Sequence, residues 1–150
     1  MNIRALVGSG DRIMGLTLPF AAAGIAANVV WPSFFALEAG TAGLVAGSAL
    51  LVLGVPLWFL SMALVARNVP RGRLVTTGPF ALVLHPLYTS VALLVLPGLG
   101  LLLDTWSGAA IGVVLYAATR LFARAEERTL AERFPAEYPV YRARVRIPWL

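Results

Sequence analysis

The sequence predicts an all-α, polytopic integral membrane protein with four transmembrane helices and a cytoplasmic helical C-terminal extension, organised as a single domain over residues 1–150. Three observations predict it. Of the 150 residues, 59% are hydrophobic and 13% charged, a balance outside that of soluble globular domains. The charges are confined to short stretches between long uncharged runs. All twelve basic residues are arginines, and they fall in alternate gaps between those runs.

Composition also excludes chemistry. A chain without cysteine has no disulfide, thiolate nucleophile, Cys-ligated zinc or iron–sulfur cluster. Its one histidine, His85, rules out a His-rich metal site, so no metal is expected. The net charge of +5 tracks the apolar segments, and basic and aromatic residues are not interleaved as in a soluble nucleic-acid module, so no nucleic-acid partner is expected.

Residues 1–12 carry Arg4, Asp11 and Arg12 ahead of the first apolar run; no cleavage site leading to a soluble domain is visible, and the N-terminus is expected to be retained. The run from Ile13 to Leu37 is uncharged and would extend about 37 Å as a helix, beyond the roughly 30 Å of bilayer hydrocarbon. It is the first predicted span, with Pro19 a possible kink and Trp31 to Phe35 an interfacial aromatic end. Asn28 is the amide inside it, suited to a helix–helix hydrogen bond or to a substrate contact.

Glu38 to Thr41 read as a turn, and Ala42 to Ala66 as the second span. Gly43 and Gly47 give this helix a face of small residues, as Gly108 and Gly112 do for the last span. Close packing within the chain is the expected use, with dimerisation the alternative. Arg67, Arg71 and Arg73 follow in a basic loop. The third span is expected over residues 86–103, just long enough to cross at about 27 Å, with Pro97, Gly98 and Gly100 loosening its far half. Asp104 and Thr105 turn the chain into the fourth span, residues 106–123. No breaker precedes Pro135, so this helix should continue through Arg133, as the start of a cytoplasmic tail over residues 124–150.

The sign pattern orients the spans. Arginines occupy residues 1–12, 67–73 and 120 onward, whereas the intervening turns hold only Glu38 and Asp104. The positive-inside rule puts all the arginine segments and both termini in the cytoplasm, in a multi-pass cell (inner) membrane protein.

The stretch from Leu74 to Tyr88, LVTTGPFALVLHPLY, organises the rest. Thr76, Thr77, Gly78 and Pro79 are a breaker cluster, and Pro86 is a helix start because a first-position proline forgoes an N–H that would have had no partner. The free N–H groups of such a start favour an anion. His85 just before it is suited to capping or packing there, or to contacting a bound carboxylate or hydroxyl.

On the tail helix the 3.6-residue period stacks Phe122, Glu126 and Leu130 on one face. Glu126, on an inward face, needs a partner, either structural, such as Arg120 or Arg73, or a ligand hydroxyl or ammonium. Glu127 is within reach of Arg124, and Arg128 of Glu132. Beyond Pro135, Tyr138 and Tyr141 alternate with Arg142, Arg144 and Arg146. That segment either lies at the interface on anionic headgroups or folds back over a bound cofactor.

GPFALVLHPLY, followed by AEERTLAERFPAEYPVYRARV, resembles the two-part signature of the isoprenylcysteine carboxyl methyltransferase and phospholipid N-methyltransferase family of membrane enzymes. The likeness covers roughly residues 72–148. Leu84 stands where the motif has arginine, Phe80 where tyrosine is usual and Pro135 where glycine is usual. The resemblance implies S-adenosylmethionine as methyl donor, bound without a glycine-rich dinucleotide loop, which the sequence lacks. It implies that Arg73, Leu74, Val75 and Phe80 border the adenosine, that His85, Pro86, Leu87 and Tyr88 hold the amino-acid moiety, and that Glu126 takes a ribose hydroxyl or the ammonium, with Glu127 beside it. A hydrophobic, lipid-like acceptor would enter from the bilayer. Arg120 or Arg124 would hold its carboxylate if it resembles an isoprenylcysteine; a phospholipid amine is the alternative acceptor, and a non-catalytic four-helix accessory protein the alternative class.

Overall fold

A computed structural model describes residues 10–148; Arg4 and the chain's extreme ends, part of the orientation argument, lie outside the described residues. The described chain is helical, with no strand and only two isolated bridges, Ala36 with Thr105 and Val83 with Ile147. Helix α1 is Gly10–Val30, the single-turn α2 is Pro32–Phe35, α3 is Gly40–Asn68, α4 is Pro86–Leu102, α5 is Ser107–Arg133 and α6 is Glu137–Arg144.

Three of these, α1, α3 and α5, are long and apolar enough to cross a membrane, and α4 is a shorter apolar helix. They form a row in which α1 packs on α5, α5 on α4, and α4 on α3. Only 11% of the most apolar window of α1 and of α3 is buried, against 33% for α5. Helix α5 is therefore central, and the outward leucines, valines and phenylalanines of α1 and α3 match the hydrocarbon of a bilayer.

The first predicted span is cut short. Trp31 precedes a proline, which disfavours helical backbone, and it sits at φ −125°, ψ 63°. Helix α1 thus ends at Val30, and residues 31–39 become a connection that locks onto the α4–α5 turn. Leu37 N–H donates to the Asp104 carbonyl at 3.1 Å and Ala39 N–H to Asp104 Oδ1 at 2.9 Å. The indole of Trp106 donates to the Phe34 carbonyl at 3.0 Å and stacks on Phe35 with 4.7 Å between centroids. Asn28 Oδ1 accepts from Thr105 Oγ1 at 3.1 Å, which makes it a tie within the fold.

Small residues let α4 sit deep between its neighbours. A methyl group on Gly47 would lie 2.8 Å from the Gly98 carbonyl oxygen, and one on Gly108 2.7 Å from Gly100 Cα. The small faces of both spans are thus used inside the chain. Helix α4 is disturbed in its middle rather than in its far half, by a π-helical turn at Val91–Val95. Pro97, two residues past its end, has no N–H for the carbonyl of Leu93 and its ring crowds that carbonyl, a conflict that a wider turn relieves.

Candidate functional site

The start of α1, the end of α3, the start of α4 and the end of α5 share one side of the molecule: Met14, Tyr88 and Phe122 pack on one cluster, and Val65, Tyr88 and Glu126 line one cavity. Between α3 and α4 the chain makes two sharp changes of direction. Gly72 and Gly78 both take positive φ, 65° and 63°, conformations that suit residues without a Cβ. Pro79 then opens a 3₁₀ turn, Gly78–Ala81, and the chain reaches His85 and the α4 start at Pro86, as the sequence predicts. The His85 side chain makes no capping hydrogen bond. The N–H groups of Leu87 and Tyr88 precede the first donor of the ladder, Thr89, which bonds the His85 carbonyl at 3.0 Å.

The tail folds back onto this turn. Leu84, Tyr138, Tyr141 and Val145 form a buried apolar cluster with Leu74, Phe80, Leu130, Ala131 and Phe134 packed around it. Tyr141 OH donates to the Phe80 carbonyl at 2.9 Å. Past α6, Arg146 N–H and Ile147 N–H donate to the carbonyls of Ala81 and Leu82 at 3.4 and 2.9 Å. Of the two readings of the tail, folding back is the one the tyrosines follow, while Arg142, Arg144 and Arg146 stay exposed.

A cavity of about 230 Å³ lies under this fold-back. Of the residues singled out by sequence, Arg73, Leu74, Val75, Phe80, His85, Leu87, Tyr88 and Glu126 line it together. His85 and Glu126, from the two halves of the signature, therefore face one space. Pro86 does not: it borders a separate apolar cleft with Leu57, Val83, Thr89 and Leu94, between α3 and α4. Arg120 and Arg124 are exposed and outside the lining. The remaining wall was not singled out by sequence. Met62 and Val65 of α3, Val69 just past its end, Leu84, and Leu130, Phe134 and Tyr141 of the tail complete it. An apolar residue facing a cavity and one facing lipid have the same sequence pattern, so α3 carried no signal; Tyr141 carried one, in the tyrosine–arginine alternation.

Glu127 also lies off the cavity. Its Oε1 is 3.6 Å from His85 Nε2, an electrostatic contact longer than a hydrogen bond, and its Oε2 is 3.3 Å from the Arg142 guanidinium. Its partner in the tail is thus Arg142 rather than the helical neighbour Arg124. His85 first, then Arg142 and Arg120, hold the Glu127 carboxyl below the usual carboxylate range against the opposing effect of burial. Burial first, then Glu127, pushes the Tyr138 hydroxyl up to about 12. Among the described residues no group of His, Asp and Glu side chains is arranged to hold a metal ion.

Long apolar helices with a cavity built at one end, from a His-Pro helix start and a carboxylate-bearing helix extension, define a membrane protein with a pocket at one end of its helices. The class has a narrower name. A family model, that of the isoprenylcysteine carboxyl methyltransferase family, matches residues 42–132, and the chain belongs to that family. Its members are membrane methyltransferases, and the apolar helices agree with that placement. No curated protein and no solved structure matches the chain.

Proposed function

We propose that the protein transfers a methyl group from S-adenosylmethionine to a hydrophobic, lipid-like acceptor, with the carboxylate of an isoprenylcysteine-like compound favoured. The observation that carries this reading is the shared cavity: His85 and Glu126, from the two separate halves of the family signature, both line it. In the membrane, α4 would cross as the fourth span at about 25 Å, and the arginine-rich end would face the cytoplasm, where the donor is available.

The residues present fit this donor. Leu74, Val75, Phe80 and Leu87 offer an apolar wall to an adenine and a methionine stem. Glu126 offers a carboxylate to a ribose hydroxyl or an ammonium. The N–H groups of Leu87 and Tyr88 at the Pro86 start, ahead of the first bond of the helical ladder, mark the side suited to a carboxylate, and His85 lines the same cavity. With Leu84 in place of the motif arginine, the helix start takes a larger share of that anion.

When bound, the donor supplies an electrophilic methyl group on a sulfonium. The chain then has to align the acceptor and keep water out, and neither task needs a metal. Tyr141 and Phe134 cover the cavity from the tail side, and Phe80 covers it from the turn. Arg120 and Arg124, on α5 just before Glu126, are the cations proposed to hold an acceptor carboxylate by a forked pair.

Calorimetry of the detergent-purified protein with S-adenosylmethionine tests the donor site. Wild type should bind, and His85→Ala and Glu126→Ala should each weaken binding. No binding by wild type, or binding that neither change affects, overturns the proposal. Methylation that survives both Arg120→Ala and Arg124→Ala would move the acceptor from a carboxylate to an amine.

A further inference from the structure

Behind the cavity wall lies a polar cluster that contact with a donor does not account for. Glu127 is outside the lining, yet its carboxylate reaches His85 on one side and the tail helix on the other, at 3.6 Å to His85 Nε2 and 3.3 Å to Arg142. Tyr138, one helical turn before Arg142, faces the same carboxylate. Tyr138 is 4% exposed and His85 8%, and the Tyr138 hydroxyl and His85 Nε2 are both buried without a hydrogen-bond partner. Orphaned polar atoms are rare in protein interiors, and two of them flank one carboxylate here.

We infer that Glu127, held from the tail helix by Arg142 and faced by Tyr138, is a positioning residue that fixes the ring orientation and tautomer of His85. The physical reason is the two-sidedness of imidazole. A neutral ring beside a carboxylate keeps its proton on the nitrogen that faces it, so Nε2 carries the hydrogen and Nδ1 keeps the lone pair. A ring turn of a few tenths of an ångström closes the 3.6 Å contact to hydrogen-bond length. Arg142 is mostly exposed, with 56% of its side chain accessible, so as an ion pair it adds little stability. Its effect is geometric: it holds the carboxylate at the angle the histidine needs, as the outer partners of a metal-bound histidine do. The tail thereby acts on the cavity twice, through Tyr141, which lines it, and through Arg142 and Tyr138, which do not.

The consequence for donor affinity rests on the proposed donor site; the consequence for the ring does not. Because the chain has a single histidine, protein labelled with ¹⁵N-histidine gives the ring nitrogens of His85 alone. At a pH above the ordinary imidazole range, wild type in nanodiscs should show predominantly the Nε2–H tautomer. Glu127→Gln should shift the tautomer ratio several-fold toward Nδ1–H, and Arg142→Ala and Tyr138→Phe should shift it part of the way. Arg142→Lys should restore the wild-type ratio, and Arg144→Ala, on the exposed side of α6, should leave it unchanged. In calorimetry Glu127→Gln should weaken donor binding roughly 10-fold, and Arg142→Ala should weaken it in wild type but add nothing on the Glu127→Gln background.

An unchanged ratio in Glu127→Gln, or independent multiplication of the two affinity losses, overturns the inference. If Glu127→Gln does not fold, an unchanged ratio in both Arg142→Ala and Tyr138→Phe overturns it equally. A shifted ratio in a protein whose wild type binds no S-adenosylmethionine supports the positioning role and defeats the donor reading alone.

Discussion

Leu84 occupies the place where the family signature has arginine, and restoring the arginine should damage the protein rather than improve it. Leu84 is 7% exposed and packs in the cluster of Tyr138, Tyr141 and Val145, which holds the tail against the Gly78–Ala81 turn. Leu84→Arg removes about 2 kcal/mol of apolar burial. It also places a guanidinium among aromatic and aliphatic groups, where an unpaired charge costs several kcal/mol. Escape of the side chain into the adjoining cavity recovers part of that, so a net loss of at least about 3 kcal/mol is expected. At about 3 °C per kcal/mol for a chain of this size, the melting temperature should fall by roughly 10 °C. Leu84→Met, which conserves volume, should lose less than about 1.5 kcal/mol. Scanning fluorimetry of the detergent-solubilised variants makes the comparison. If Leu84→Arg melts with wild type and binds S-adenosylmethionine more tightly, position 84 faces a ligand and the packing argument is wrong.

Other expectations follow from the same geometry. Gly47→Ala should destabilise by about 1–3 kcal/mol because its methyl meets the Gly98 carbonyl at 2.8 Å; Gly15→Ala, with nothing within 4 Å of the added methyl, should be neutral or stabilising in the same melts. The Glu127 carboxyl is depressed in the folded protein, so its contribution is present above the ordinary carboxylate range and is lost as pH falls through the depressed value. Melts from neutral to acid pH should therefore drop more steeply for wild type than for Glu127→Gln. Tyr138 is raised to about 12, so its contribution is present below the ordinary tyrosine range, near 10, and is lost as pH rises through the folded value. Ultraviolet titration of tyrosinate should show a late component that Tyr138→Phe reduces but does not remove, because burial also raises the Tyr141 hydroxyl.

How far the sequence reached depended on the range of the interaction. Pro86 as a helix start, the run of α5 to Arg133 and the glycine faces follow from local rules about proline, breakers and small residues, and the structure has all three. The end of α1 was concealed by a long apolar run: the chain breaks at Trp31, before Pro32, yet Pro19 and Pro56 sit inside α1 and α3, so a proline in the stretch from Ile13 to Leu37 did not by itself say where the helix would stop. The π turn before Pro97 was out of reach, since the sequence shows the proline but not which turn will yield. The partner of Glu127 shows the limit best. Helical spacing offers Arg124, and the choice of Arg142 depends on a tail that turns back, through backbone bonds from Arg146 and Ile147 to the turn at Ala81 and Leu82. No periodicity encodes those bonds.

The measurement that bears most directly on the site is photocrosslinking with radiolabelled S-adenosylmethionine followed by peptide mapping. Label should be recovered in the 74–88 segment and at Tyr141, and His85→Ala together with Glu126→Ala should abolish it. Label confined to the separate cleft beside Leu57 and Leu94, or unaffected by the paired change, would contradict a donor site shared by the two halves of the signature.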